Sequence, residues 1–223
     1  MNKISIIIVS YNVRSYLSNS IDSILKSSVE NFELIIVDNN SFDGTVEYIS
    51  NNHPSIKLIA NNSNVGFGKA VNQGAKIANS ENLLILNPDT IIEEETLEKL
   101  INYIETNDKI GMVGPKILNA DGSLQLSCKR SFPTIKSAIP KILGLDKLFP
   151  NSKWFGRYNL TFLDADKTHV VDAISGSCML IRNKVFKKIG GFDERFFMCG
   201  EDIDICLRTW KANFEVHYFP ETK

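Results

Sequence analysis

Ile4-Ser5-Ile6-Ile7-Ile8-Val9 is a near-continuous run of β-branched apolar residues, the pattern of a parallel strand covered on both faces. Leu17, Ile21, Ile24 and Leu25 then mark the buried stripe of a helix. The alternation repeats. Phe32 to Val37 reads as a second strand, Asp43 to Ile49 as a short helix and Ile56 to Ala60 as a third strand. A helix carrying Ala70, Val71, Gly74, Ala75 and Ala78 leads to a fourth strand, Leu83 to Leu86, and Leu97, Leu100, Ile101 and Ile104 mark the next helix. Repeated β-α units predict an α/β fold with a mostly parallel central sheet flanked by helices. Ligands of such sheets bind beyond the carboxyl ends of the strands. Those ends carry Ser10-Tyr11-Asn12, Asp38-Asn39-Asn40-Ser41 and Asn87-Pro88-Asp89.

The second half is less regular. Met112 to Leu126 predicts short strands around a turn at Asp121-Gly122, and Val170 to Arg182 returns to strand character. Asn183 is expected to cap a short helix ending at Gly190-Gly191. Between them, Phe132 to Phe149 mixes Pro133, Pro140 and Gly144 with apolar residues and lysines. Two readings stand: a partly helical excursion packed on the domain, or an acceptor-side flap touching a membrane surface. Lys136, Lys141 and Lys147 beside Ile139, Ile142, Leu143 and Leu145 motivate the second.

With 223 residues, 43% of them hydrophobic, the chain can bury one large core. A net charge of -1 offers no general attraction for nucleic acid or anionic lipid. No uninterrupted apolar window of about 18 residues marks a membrane span. Met1 to Val9 enters a strand at once, without the longer apolar region of a signal peptide, so a cytoplasmic protein is expected, peripheral at the inner membrane face if the flap reading holds. Cys128, Cys178, Cys199 and Cys206 lack CxxC spacing, and neither a disulfide framework nor a zinc site is expected.

The residues with chemistry sit in short motifs. Gly200-Glu201-Asp202-Ile203-Asp204 puts three carboxylates at the start of a helix whose Ile203, Leu207 and Trp210 predict a buried stripe. Unpaired N–H groups there favour negative charge, and a carboxylate kept ionised can take a proton from a sugar hydroxyl. Asp89 ends a buried strand as a single carboxylate; Mg²⁺ binds through one or two carboxylates plus substrate phosphates, while a plain turn Asp fits the spacing equally. Tyr11 can contact a base or ribose, and Asp38 can accept from a pyrimidine N3–H or a ribose hydroxyl. Packing and turn formation are the competing roles. Asn64-Val65-Gly66-Phe67-Gly68 enters a helix that carries Asn72, with glycines that let backbone approach a ligand. It matches neither GxGxxG nor the P-loop pattern.

Together, Val9-Ser10-Tyr11-Asn12, Val37-Asp38-Asn39-Asn40-Ser41, Asn64-Val65-Gly66-Phe67, Leu86-Asn87-Pro88-Asp89 and Gly190-Gly191-Phe192-Asp193-Glu194-Arg195-Phe196-Phe197 running into Glu201-Asp202 resemble glycosyltransferase family 2, most closely its rhamnosyltransferase-like bacterial branch. The resemblance runs from Ile4 to about Pro220. It implies the GT-A fold, a single Rossmann-like domain over residues 1–223, with 1–110 as the nucleotide-sugar half and 111–223 as the acceptor half. By resemblance Ser10, Tyr11, Asp38 and Asn39 hold the nucleotide, joined by Gly66, Asn72 and Asn87. Asp89 is the ligand of Mg²⁺ or Mn²⁺, and Asp202, paired with Glu201, is the general base. Asn87 stands where the family's DXD motif has its first Asp, and Asn39 where an Asp often follows Asp38.

The implied activity is inverting transfer of a sugar from a UDP- or dTDP-linked donor to a saccharide or lipid-linked saccharide acceptor, in bacterial cell-surface polysaccharide synthesis. A sugar nucleotidyltransferase would need a glycine-rich basic segment after the first strand, and Ser10 to Ser15 has no glycine. The family's histidine downstream of the Glu215 to Phe219 strand would fall beyond Lys223, so a truncated catalytic domain is expected. Its extreme form is a nucleotide-sugar-binding fragment without transfer activity.

Overall fold

The computed structural model describes residues 3–223; Met1 and Asn2, from which the reading of the N-terminus starts, lie outside the described residues. Its first half follows the predicted alternation: β1 (Ile4–Ser10), α1 (Arg14–Leu25), β2 (Phe32–Asp38), α2 (Thr45–Asn52), β3 (Lys57–Ala60), α3 (Phe67–Ile77), β4 (Asn82–Leu86), α4 (Thr96–Glu105) and β5 (Ile110–Pro115). The second half adds β6 (Lys129–Arg130), α5 (Ile135–Ile142), α6 (Leu145–Leu148), β7 (His169–Val170), β8 (Ala173–Ile174), β9 (Cys178–Arg182), α7 (Asn183–Ile189), α8 (Glu201–Lys211) and β10 (Glu215–Phe219).

Eight strands form one sheet in the order β3-β2-β1-β4-β9-β5-β10-β7. The pairs β2–β3, β1–β2, β1–β4 and β5–β10 are parallel, whereas β9 runs antiparallel between β4 and β5 and β7 antiparallel along β10. Period-two alternation divides the core. Ile7, Val9, Ile35 and Val37 face α3 and α8, and Ile4, Ile6, Ile8, Leu34 and Ile36 face α1 and α4. At Gly74 a Cβ would lie 2.7 Å from Ile7 Cγ2, so α3 can approach β1 this closely only with glycine there. A separate two-stranded pair, β6 with β8, sets Arg130 opposite Ala173.

Local expectations are corrected at four places. Leu25, read into the buried stripe of α1, is exposed, and Ser20 and Ser23 are buried beside Leu17, Ile21 and Ile24 instead. Asp43 stays outside α2, where its carboxylate accepts from the backbone and hydroxyl of Thr45 and from the Arg14 N–H. Asn183 is the first residue of α7 rather than its cap, and its amide donates to Ser80 O at 2.7 Å. The buried stripe of α8 is Glu201, Ile205, Cys206 and Thr209, not Ile203, Leu207 and Trp210. Ile203 and Trp210 are half-buried and pack on the rim of the core instead.

Candidate active site

The parallel strands β1, β2 and β4 end on one edge, and Tyr11, Asn39, Asn64, Gly66, Asn87 and Asp89 line a cleft of about 530 Å³ there. The loops behind it are tied together by polar groups. Asn12 N–H donates to Ser41 Oγ and Phe42 N–H to Asn12 Oδ1, joining the segments after β1 and β2. Asn12 and Asn40 both have positive φ, which asparagine tolerates better than most side chains. Asn39 donates to Asn64 Oδ1 and Gly66 O and accepts from Asn61, which fixes the cleft wall.

Not every expected nucleotide residue opens into this cleft. Asp38 is 1% exposed, and its two oxygens accept from the Ser41 N–H and hydroxyl at 2.8 and 2.6 Å. Its turn-forming role is therefore the one observed. Ser10 is also buried, with a hydroxyl oxygen that has no partner. Asn72 lies elsewhere, and its expected place at the nucleotide is corrected. Its amide accepts from Phe192 N–H and donates to Phe192 O and Glu194, which ties α3 to the segment after α7.

That segment closes over the cleft. At Gly66, φ is +86°, and a Cβ would lie 2.7 Å from Phe197 O; the Phe67 N–H donates to the same carbonyl at 3.0 Å. The close approach allowed by this glycine is thus made by the chain itself. Phe197 and Met198 stand exposed beside the opening.

Asp89 is solvent-exposed and lies where the cleft meets a second cavity of about 540 Å³, lined in part by Thr90, Glu93, Lys116 and Ser177. No group of three or more His, Cys, Asp or Glu that could hold a metal occurs among the described residues. An exposed carboxylate at a cleft mouth nevertheless suits a cation that completes its shell with phosphate and water oxygens. Asn87, two residues earlier, donates from its backbone to Ser177 O and from its side chain to Ser177 Oγ.

The same turn reaches the second carboxylate. Gly176 N–H points at Asp202 Oδ2 from 3.4 Å, so Asn87, Ser177, Gly176 and Asp202 form one continuous set of contacts. Asp202 Oδ1 accepts from the Ile203 N–H at 2.8 Å, in keeping with a helix start that favours anions. Its Oδ2 is ion-paired with Arg130, which also donates to Ile174 O. Both side chains are largely buried. Burial works against the Arg130 charge, but neighbouring Asp202 outweighs it and raises the guanidinium pKa above its ordinary value.

Glu201 differs from its neighbour. It is buried, its Oε2 has no hydrogen-bond partner, and burial, reinforced by the Asp202 charge, pushes its pKa up. Sequence reasoning missed Arg130 entirely, because no motif surrounds it and only the β6–β8 pairing delivers it to the site. His217 is buried in β10 between the Tyr103 hydroxyl and Glu215, away from this cluster.

The chain as a whole is similar to known proteins. The family model described as glycosyl transferase family 2 matches residues 5–190, and one described as the N-terminal domain of galactosyltransferase matches residues 160–223. N-acetylglucosaminyl-diphospho-decaprenol L-rhamnosyltransferase of Mycobacterium tuberculosis is 28% identical over 98% of the chain and 74% of its own length. Rhamnosyltransferase WbbL of Escherichia coli is 28% identical over 96% of the chain and 80% of its own length. Among solved structures, the mannosyltransferase PcManGT of Pyrobaculum calidifontis, determined with GDP-Man and Mn²⁺, superposes with a TM-score of 0.68 at 15% identity. The chain spans 55% of that protein's length.

Proposed function

The chain belongs to glycosyl transferase family 2, and from that premise we propose that it transfers a sugar, with inversion, from a nucleotide-diphosphate donor to an acceptor hydroxyl. The observation that carries the reading is the single run of contacts from Asn87, beside Asp89, through Ser177 and Gly176 to Asp202. It joins a carboxylate at a cleft mouth to one fixed at a helix start. The nucleoside would lie in the cleft against exposed Tyr11, with buried Asn39 and Gly66 forming the wall behind it and Asp38 holding the loop shape from beneath.

Asp89, with Asn87 alongside, would hold Mg²⁺ or Mn²⁺, which when bound offsets the charge developing on the departing diphosphate. Asp202 takes the proton of the acceptor hydroxyl as that oxygen attacks the anomeric carbon from the face opposite the diphosphate. General-base help of this kind is worth about 10²–10⁴-fold. Arg130 holds the Asp202 carboxylate in place. Residues 1–110 would serve the donor and 111–223 the acceptor.

The relative named as acting on N-acetylglucosaminyl-diphospho-decaprenol supports a saccharide or lipid-linked saccharide as acceptor, and the donor in this reading is a UDP- or dTDP-sugar used in cell-surface polysaccharide synthesis. Such a donor places the reaction on the cytoplasmic side, and such an acceptor implies peripheral contact with the membrane. No helix among the described residues is long and apolar enough to cross one. Calorimetry with UDP-, GDP- and dTDP-sugars, with and without Mg²⁺ or Mn²⁺, tests the reading. One nucleotide class should bind with metal-dependent affinity, and Asp89→Ala should abolish the metal enhancement. Equal metal dependence in the variant would remove Asp89 from that role.

A further inference from the structure

The segment 132–158 is folded inside out with respect to water. Ile135, Ile139 and Ile142 recur at i, i+4 and i+7 of α5, the spacing of a single stripe, yet they are 79%, 51% and 82% exposed. The buried residue of α5 is Ser137, and that of α6 is Asp146. Leu143, Leu148, Phe149 and Trp154 extend the exposed apolar surface. A concentration of apolar side chains on this scale marks an interaction site rather than ordinary surface.

Charge selects the partner. The segment carries Lys136, Lys141, Lys147, Lys153 and Arg157 against one acid, the buried Asp146, a net of +4. The chain as a whole is -1, so the remainder is -5. All five cations lie at exposed positions, interleaved with the apolar side chains. Apolar groups to enter an acyl boundary, flanked by cations for headgroups, are what an interfacial helix on anionic lipid requires.

We propose that residues 132–158 dock on the surface of an anionic bilayer, inserting Ile135, Ile139, Ile142 and Trp154 between headgroups. This rests on the membrane contact in the functional reading above and assigns it to a surface. The placement makes chemical sense. The lobe is anchored by Ser131 N–H to Tyr158 O and by Phe132 N–H to Asp172, directly beyond Arg130, the partner of Asp202. Docking would therefore hold the proposed base beside a lipid-linked hydroxyl.

The test is co-sedimentation of the full chain with phosphatidylcholine vesicles, with and without about 30% phosphatidylglycerol. Binding should be about tenfold or more stronger on the anionic vesicles and should weaken with salt. Trp154 emission should shift to the blue and be quenched by brominated acyl chains, with half-buried Trp210 as background. Ile139→Asp with Ile142→Asp should lower binding about tenfold or more. Lys136→Glu, Lys147→Glu and Lys153→Glu together should erase the anionic preference, sparing Lys141, which stacks over the Tyr158 ring. All replaced side chains are exposed, so far-UV circular dichroism should be unchanged. Absent vesicle binding, binding indifferent to these changes, or a dimer dissolved by the isoleucine variants without lipid binding would overturn the proposal. Vesicle binding by a chain that binds no nucleotide sugar would uphold the docking surface and sink the transferase reading instead.

Discussion

Arg130 and Asp202 meet through one guanidinium–carboxylate contact, with Gly176 N–H and Ile203 N–H on the same carboxylate. Three donors leave the group little freedom, and a proton acceptor must be held within a few tenths of an ångström of its task to act efficiently. Asp202→Asn keeps the shape and removes the acceptor. It should leave donor affinity unchanged by calorimetry while turnover falls about 10²–10⁴-fold. Near-normal turnover would move the role away from Asp202. Arg130→Gln should lower kcat about 10²-fold with little change in donor affinity, and Arg130→Lys should recover only part, because a compact, strongly hydrated ammonium is harder to bury beside Asp202 than a guanidinium. If Arg130→Gln instead raises only the acceptor KM, the arginine binds acceptor rather than positioning the base. That Tyr11, Asn39, Gly66, Asn87 and Asp89 gather around one cleft was legible because each lies in a short motif at a strand or helix end, and Asp202 was legible as a carboxylate at a helix start. Arg130 was not, since its meaning depends on a residue 72 positions away in sequence.

Elements were readable where their periodicity is local. Helices α1, α3 and α4 bury apolar residues at helical spacing, and β1, β2 and β4 are near-continuous apolar runs, so the first half could be read in order. By contrast, β6, β7 and β8 have two residues each, too few for any period, and they form only through partners elsewhere in the chain. The insertion of β9 between β4 and β5 is likewise a non-local fact. Helix α8 shows how an element can be right and its face wrong. The left-handed turn at Gly200, φ +93°, rotates the first turn so that Glu201 is buried, and Ile205 and Thr209 follow it inward. The cost falls on the Glu201 carboxylate, whose Oε2 lacks a partner and whose pKa is raised by burial. Between the ordinary value of 4.5 and the raised one, the folded chain binds more protons than the unfolded chain, so this group's contribution to stability falls as pH rises. Glu201→Gln removes that loss. Relative to the natural chain it should be nearly neutral at pH 4 and more stable by about 1–3 kcal/mol at pH 7–8. Thermal melts across that range decide it, and a difference that does not vary with pH would show that burial of the charge is not the cause.

Across the whole molecule the two ends of the sheet are built for opposite purposes. At the carboxyl edge, loops with positive-φ Asn12, Asn40 and Cys199 surround an open cleft, and Ser10 Oγ and Glu201 Oε2 are left unpaired. Unpaired polar atoms occur at the amino edge too, at Asn82 and Asn183, but unusual backbone is a cost that the functional edge carries and the rest of the fold offsets. The amino edge is the counterweight. There Glu33 accepts from Ser5 Oγ, from Lys57 Nζ at 2.6 Å and from Asn79 N–H at 2.6 Å, so one carboxylate joins β1, β2, β3 and the entry to β4. Burial alone would raise the Glu33 pKa, but the bonds from Lys57, Ser5 and Asn79 outweigh it and hold the group below its ordinary 4.5. A depressed carboxylate contributes stability above the unfolded pKa and loses it as pH falls through the folded value. Glu33→Gln should therefore destabilise the chain by about 1–3 kcal/mol at pH 7, a figure kept modest because Lys57 is substantially exposed. Below pH 4.5 the difference should shrink, because the unfolded natural chain takes up the proton before the folded one does. Donor affinity at pH 7 should not change, since the replaced group sits at the edge away from the cleft. Urea unfolding at pH 7 and at pH 3.5, paired with calorimetry at pH 7, measures all three quantities. Equal stability of the two chains at pH 7 would show that the Glu33 network does not offset the functional edge, and a loss of donor affinity would show that the two ends of the sheet are coupled.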